Sequence, residues 1–270
     1  MAREKLFFKN GNRICLSVKE NNLNDFCAKI IDIVTDDLDY NDLIELRLDY
    51  LLNKKVKVED IIKAISSAKK ILKEDYDLEP QFIATIRNFS NGGNCMLDEK
   101  TYLDIITLLY EKASVDAIDI DYCFYEKKSG SVKKLFSGKK SLIITYTCRD
   151  KSLSSNEYDE IIKDMIKTPA YVIRIITKAF SFDDCIMLMD EVKKFSNDFE
   201  KNNKVVSIIS LGKLGIVSRL YPEYTGSMIT YINNELTEAV SNDGEINKAE
   251  FDKLRKQFPS TKEFLDSSGV

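Results

Sequence analysis

Eight short apolar, β-branched runs alternate with longer amphipathic stretches, and this alternation constrains the fold more than any other feature of the chain. The runs are Arg13–Val18, Leu43–Asp49, Phe82–Arg87, Ala117–Tyr122, Leu142–Thr147, Val172–Thr177, Val205–Leu211 and Ser227–Ile232. Between most of them apolar residues recur at three- and four-residue spacing, as in Val58–Leu72, Lys100–Ala113, Glu157–Lys167 and Asp183–Phe195. Cys123–Lys140 is poorly patterned and predicts a shortened helix. Strand alternating with helix predicts a parallel sheet built from βα units. Eight such units in 270 residues match the size of an α/β protein of the closed (β/α)8 TIM-barrel type. A doubly wound open sheet is the alternative, and its dinucleotide-binding form is weakened because no GxGxxG follows the first strand. With four prolines, ten glycines and no Ser/Gly/Pro-rich linker, residues 1–270 read as a single domain.

Side-chain parity favours the barrel. Alternate residues of a strand point to opposite faces. Glu45, Arg47 and Asp49 share one face, and Ile44, Leu46 and Leu48 the other. Thr85 and Arg87 oppose Ile86, Asp119 and Asp121 oppose Ile118 and Ile120, Thr145 and Thr147 oppose Ile144 and Tyr146, and Arg174 opposes Ile173 and Ile175. An open sheet covered on both sides buries both faces and reads as continuously apolar. A barrel can set the apolar face under its helices and the polar face in its interior, where each ionised group needs a partner.

Composition narrows the chemistry. The chain contains no histidine, which removes Ser-His-Asp and Cys-His catalysis, His-based zinc sites and an imidazole base. A net charge of −4 does not suit a general nucleic-acid binder. No run of 18 apolar residues predicts a membrane span, and the first residues lack the pattern of a signal peptide. The six cysteines are scattered without a CxxC, so they read as reduced thiols of a cytoplasmic protein. Asn242-Asp243-Gly244-Glu245-Ile246 followed by Glu250 looks like half an EF-hand loop, but Ala239 and Ser241 stand at two ligand positions, so no calcium site is expected. The sequence implies no cofactor and no metal.

Glu45, Arg47, Arg87, Asp121, Thr147 and Arg174 lie near the C-terminal ends of predicted strands, and Arg219 follows the seventh. That rim is where barrel enzymes place their sites. Four arginines converging there would hold an anion in a two-pronged grip. An internal ion network of Glu45, Asp49, Asp119 and Asp121 with the same arginines accounts for these residues equally well.

At these residues the chain resembles the type I 3-dehydroquinate dehydratases. Ile44-Glu45-Leu46-Arg47-Leu48-Asp49 is similar to the family's E-x-R-x-D segment. Ala84-Thr85-Ile86-Arg87 followed by Asn91-Gly92-Gly93 is similar to its T-x-R segment and Glu-Gly-Gly loop. The 20 residues between Asp119-Ile120-Asp121 and the Leu142–Cys148 strand match the spacing of its signature. Ser210-Leu211-Gly212-Lys213-Leu214-Gly215-Ile216-Val217-Ser218-Arg219-Leu220 is close to S-M-G-x-x-G-x-x-S-R-L and is the most specific piece. Gly226-Ser227 and the 241–246 segment resemble the closing strand and loop.

The resemblance implies a (β/α)8 barrel, commonly a cytoplasmic homodimer of the shikimate pathway, that dehydrates 3-dehydroquinate. The family's lysine forms a Schiff base with the substrate ketone, and a histidine moves protons with help from a glutamate. By the same resemblance Asn91 replaces the glutamate, Thr147 the histidine and Arg174 the lysine. Arginine stays protonated and makes no imine. Ser17, Glu45, Arg47, Arg87, Arg219 and Ser241 match the ligand-holding positions, Arg219 being the one that meets the substrate carboxylate, and Glu245 replaces a glutamine of the closing loop. The implied protein keeps a pocket for a small cyclic hydroxy-carboxylate and lacks the catalytic groups.

Catalysis by a relocated amine would fall to Lys178 or Lys213. Lys178 shares the face of Arg174 but stands roughly 13 Å further along by strand rise, and both lysines read also as solvated rim residues. Glu245 as the base of an imine-independent lyase or isomerase is a further alternative, with Arg174 stabilising an enolate. A non-catalytic scaffold or regulatory partner is the last.

Overall fold

A computed structural model describes residues 12–37, 43–136, 138, 140–233, 241 and 243–259. Eight parallel strands form one sheet: β1 (Arg13–Val18), β2 (Leu43–Arg47), β3 (Gln81–Thr85), β4 (Ala117–Asp121), β5 (Ser141–Cys148), β6 (Val172–Lys178), β7 (Val205–Leu211) and β8 (Ile229–Ile232). Its order is β7-β6-β5-β4-β3-β2-β1-β8, so sequential strands are neighbours and β8 returns beside β1. The helices are α1 (Leu23–Asp32), α2 (Leu48–Asn53), α3 (Val58–Tyr76), α4 (Glu99–Lys112), α5 (Tyr122–Leu135), α6 (Ser155–Ile166), α7 (Phe182–Lys194), α8 (Ser196–Lys201), α9 (Val217–Leu220), α10 (Pro222–Thr225) and α11 (Lys248–Gln257). This is a nearly closed (β/α)8 barrel.

Closure is uneven. A continuous ladder joins every pair from β7 round to β8 except the last, β7 to β8, which meet in a single bridge between Val206 and Ser227. Side chains supplement that seam. Ser207 Oγ donates to Ile229 O at 3.0 Å, and Ser227 Oγ accepts from Ile208 N at 3.3 Å.

The parity expectation holds and gains a layer. Ile44, Leu46, Ile118, Ile120, Ile144, Ile173 and Ile175 face outward into the core shared with the helices. Inside, the N-terminal end of the barrel is apolar, packed with Cys15, Leu43, Ile83, Ala117, Ile143, Val172 and Ile229. Above it lies a buried polar layer of Ser17, Glu45, Thr85, Asp119, Thr145, Arg174 and Ser207. The polar interior is therefore built on an apolar floor that excludes water from below.

Two elements differ from expectation. The second strand stops at Arg47, and Leu48–Asn53 turns into a helix, so Asp49 leaves the strand face and folds back to accept two bonds from Arg47, each of 2.9 Å. The segment after β4 is a 14-residue helix, broken in conformation at Lys128 but capped by the Asp121 carboxylate at its start. The capping boxes Ser154/Glu157 and Ser181/Asp184 start α6 and α7 one to two residues before the apolar periodicity.

Candidate functional site

At the C-terminal end of the barrel the polar layer opens into a cavity of about 200 Å³. Ser17 and Lys19 reach it from the end of β1, Glu45 and Arg47 from β2, Arg87 and Asn91 from beyond β3, and Arg174 from β6. Ile176, Ile209, Leu211, Tyr231 and Ile232 make an apolar wall. Arg219, Asp243 and Glu245 complete the mouth.

Two glycines fix the loops that carry these side chains. A Cβ on Gly93 would sit 1.8 Å from Arg87 O, so only glycine lets the Asn91 loop fold against β3. A Cβ on Gly215 would sit 2.2 Å from Ser210 O. There the Ser218 hydroxyl accepts from Ser210 N at 2.9 Å and donates to Gly215 O at 2.8 Å, which ties the short turn down and aims Arg219 inward.

The floor is an ion network. Arg174 Nη1 contacts Glu45 Oε1 at 2.8 Å and Asp119 Oδ2 at 3.1 Å, and its guanidinium lies 3.5 Å from the centre of the Tyr231 ring. Asp119 also pairs with Arg87 and accepts from Thr145 Oγ1 at 2.6 Å. Ser17 and Thr85 donate to the two Glu45 oxygens at 2.7 and 3.1 Å. Burial pushes the Glu45 carboxyl upward, but Arg174 and Arg47 outweigh it and hold the group at about 2.

A carboxyl held below its ordinary 4.5 contributes stability that is full above that value and is lost as pH falls toward about 2. The contribution is about 3 kcal/mol as an order of magnitude. Urea midpoints measured between about pH 5 and about pH 2 should therefore fall less steeply for Glu45→Gln than for the unaltered protein. Equal slopes would show that Glu45 is not held ionised by the network.

Around the mouth, Lys19 Nζ meets Glu245 Oε1 at 2.6 Å and Arg149 Nη2 meets Asp243 Oδ2 at 2.8 Å. Asn233 Nδ2 donates to the other Glu245 oxygen at 3.1 Å. Asn91 Nδ2 lies 2.5 Å from Asp121 Oδ2. Arg219 stands apart. It is 3% exposed, its Nη1 donates to Tyr231 O at 2.7 Å, and its buried Nε has no acceptor. Burial pushes its pKa down to about 10, partly opposed by the Glu245 charge and reinforced by Arg174. Among the described residues, every other charged group lining the cavity has an opposite charge at salt-bridge distance, and Arg219 has none.

The residues singled out from the sequence distribute as follows. Ser17, Glu45, Arg47, Arg87, Asn91, Arg174, Arg219 and Glu245 line the cavity. Ser241 stands behind Glu245, its hydroxyl accepting from Glu245 N at 3.0 Å. Thr147 lies on β5 outside the lining, with a buried hydroxyl oxygen that has no partner. Lys178 sits over the Phe180 ring, 5.3 Å from its centre, and Lys213 is exposed; neither lines the cavity. Sequence reasoning missed Lys19, Tyr50, Arg149, Tyr231 and Asp243. Among the described residues no cluster of Cys, Asp and Glu could hold a metal, and no helix is long and apolar enough to cross a membrane.

Comparison with known proteins agrees with this architecture. A 3-dehydroquinate dehydratase of Dehalococcoides mccartyi is 29% identical over 166 residues, covering 61% of this chain and 70% of that protein. One from Streptococcus suis is 26% identical over 198 residues, covering 73% and 80%. The crystal structure of the type I 3-dehydroquinate dehydratase from Clostridium difficile superposes with a TM-score of 0.79 over 93% of this chain and 94% of that one, at 18% identity, a likeness of fold. The family model for type I 3-dehydroquinase matches residues 14–257, nearly the whole chain, and this chain belongs to that family.

Proposed function

We propose that this protein is a member of the shikimate-pathway family that binds 3-dehydroquinate or a related cyclic hydroxy-carboxylate and does not carry out the family's Schiff-base dehydration. The observation that carries the reading is Arg219. A buried guanidinium with no counter-ion costs several kcal/mol, and a ligand carboxylate would supply the missing charge in a two-pronged contact. Ser17, Glu45, Arg47, Arg87 and Glu245 surround the same space, with Ser241 supporting Glu245. Among the described residues the buried Arg87 Nη1 and Tyr231 Oη also have no partner, which adds donors for ligand oxygens.

By resemblance, Asn91, Thr147 and Arg174 stand where the family has its chemical groups. An amide and a hydroxyl do not titrate near neutral pH, and Arg174 is engaged by Glu45 and Asp119. Family resemblance further supports a cytoplasmic homodimer. Calorimetric titration with quinate and with 3-dehydroquinate tests the reading, together with absorbance of 3-dehydroshikimate. Saturable binding without product is expected. Absence of binding by both acids would overturn the ligand, and steady product formation would overturn the loss of activity.

A further inference from the structure

We propose that Asn91 is a specificity-determining residue, whose amide oxygen accepts a hydrogen bond from a ring hydroxyl on the edge of the ligand remote from its carboxylate. The proposal rests on the ligand reading above and deepens it by naming a second group that the ligand carries. An asparagine side chain has a donor at one end and an acceptor at the other, and a ligand meets whichever end faces it. Here Asp121 makes the choice. Its Oδ2 accepts from Asn91 Nδ2 at 2.5 Å, and its Oδ1 accepts from Phe124 N at 3.2 Å at the start of α5. Burial raises the Asp121 pKa, and the Arg87 charge with the N–H groups of Phe124 and Cys123 opposes the rise. A carboxylate only accepts, so it fixes the amide with its nitrogen toward Asp121. Asn91 lines the cavity and Asp121 does not, so the nitrogen turns away from that space and the oxygen is left toward it. Among the described residues this oxygen has no hydrogen-bond partner.

The loop that carries Asn91 is held on several sides. Gly93 packs on the Arg87 backbone, the Arg149 side chain lies against Gly92, and Arg47 Nη2 donates to Gly92 O at 3.4 Å. The topology then sets what the amide meets. Arg219 follows β7 and Asn91 follows β3, four steps apart in a ring of eight strands, so the two side chains enter the cavity from opposite walls. A ring whose carboxylate lies on Arg219 therefore turns its far edge to Asn91. The Glu45 oxygens are already engaged by Ser17, Thr85 and Arg174, and the Glu245 oxygens by Lys19 and Asn233. Arg219 thus offers donors to an acid group, and Asn91 offers a free acceptor to an alcohol across from it. The ligand class is a cyclic acid with a hydroxyl on the ring edge opposite its carboxylate.

The test is calorimetric titration of the full chain with two acids. Quinate carries hydroxyls on the far edge of its ring. 1-Hydroxycyclohexane-1-carboxylate keeps the carboxylate and the hydroxyl beside it but leaves that edge bare. Quinate should bind the unaltered protein more tightly. Asn91→Leu is close in shape and lacks the oxygen, so it should weaken quinate about 3- to 10-fold, the scale of one neutral hydrogen bond, and leave the bare-edged acid within about twofold. Asp121→Asn keeps a cap for α5 but can donate to the Asn91 oxygen as well as accept from its nitrogen. About half the amides would then face the wrong way, so quinate should weaken about twofold with the bare-edged acid unchanged. Equal losses for the two acids would make Asn91 and Asp121 props of the loop and overturn the proposal. Quinate binding untouched by Asn91→Leu, or a bare-edged acid that binds as tightly as quinate, would overturn it as well. Failure of the unaltered protein to bind either quinate or 3-dehydroquinate would instead overturn the ligand reading and this proposal with it.

Discussion

Replacing Arg219 by methionine is expected to weaken binding of quinate or 3-dehydroquinate by at least about 30-fold, because a buried, charge-assisted contact to a carboxylate carries about 2–5 kcal/mol. The same substitution should leave the melting temperature level or raise it. The guanidinium is 3% exposed and, among the described residues, has no opposite charge at salt-bridge distance, so its burial costs several kcal/mol in the absence of ligand. Methionine removes that cost, fills similar volume, and loses one hydrogen bond to Tyr231 O, about 1 kcal/mol. A group kept for a ligand at the expense of stability shows this opposition. A fall of several degrees with affinity intact would make Arg219 a structural stitch and leave the cavity without its anchor. Calorimetry and a thermal melt on one preparation read both arms.

The largest stability effect is expected at Asp119. Its carboxylate is fully buried and serves Arg87, Arg174 and Thr145 together. Among the described residues, alanine there leaves Arg87 without an ion pair and Arg174 with Glu45 alone. Removing one partner of a buried ion pair costs about 3–5 kcal/mol, a large share of the roughly 5–15 kcal/mol that holds a domain together. The urea midpoint should drop accordingly with the slope unchanged. In the Arg87→Met, Asp119→Ala double variant the loss should be smaller than the sum of the two single losses, since the stranded charge is gone. A loss below about 1 kcal/mol for Asp119→Ala would mean that water reaches the network and that the apolar floor does not seal it.

Most of this network is legible in the sequence through parity alone, because a strand cannot bury Glu45, Thr85, Asp119, Thr145 and Arg174 on one face without giving them each other. What parity lacks is distance along the barrel axis. Lys19 and Lys178 both share the face of an interior residue, Ser17 and Arg174 respectively. Lys19 is two residues beyond its neighbour, roughly 7 Å, and stays in the cavity, whereas Lys178 is four beyond, roughly 13 Å, and emerges over Phe180. The same rule, extended one step past the end of β1, reaches Lys19.

Other omissions have different causes. Asp49 continues the strand alternation in sequence, but the backbone turns helical at Leu48, and the short reach back to Arg47 satisfies the carboxylate there. Arg149 and Asp243 come from loops after β5 and β8, whose approach no local pattern encodes. Tyr231 reads as an ordinary β-former, and only closure of the barrel sets its ring against the Arg174 guanidinium.

The single bridge between β7 and β8 makes this barrel a split ring, and the split runs beside the cavity. A ring so built has a set place to open. Local opening costs least where few backbone bonds must break, so the amides flanking the seam are expected to exchange with solvent ahead of the rest of the sheet. Arg219 reaches across that gap from the loop after β7 to the carbonyl of Tyr231 on β8. An anion that fastens Arg219 in place also holds the two ends of the ring together. Occupancy of the cavity would then strengthen the barrel wall as well, and a ligand would close the circle that the backbone leaves open.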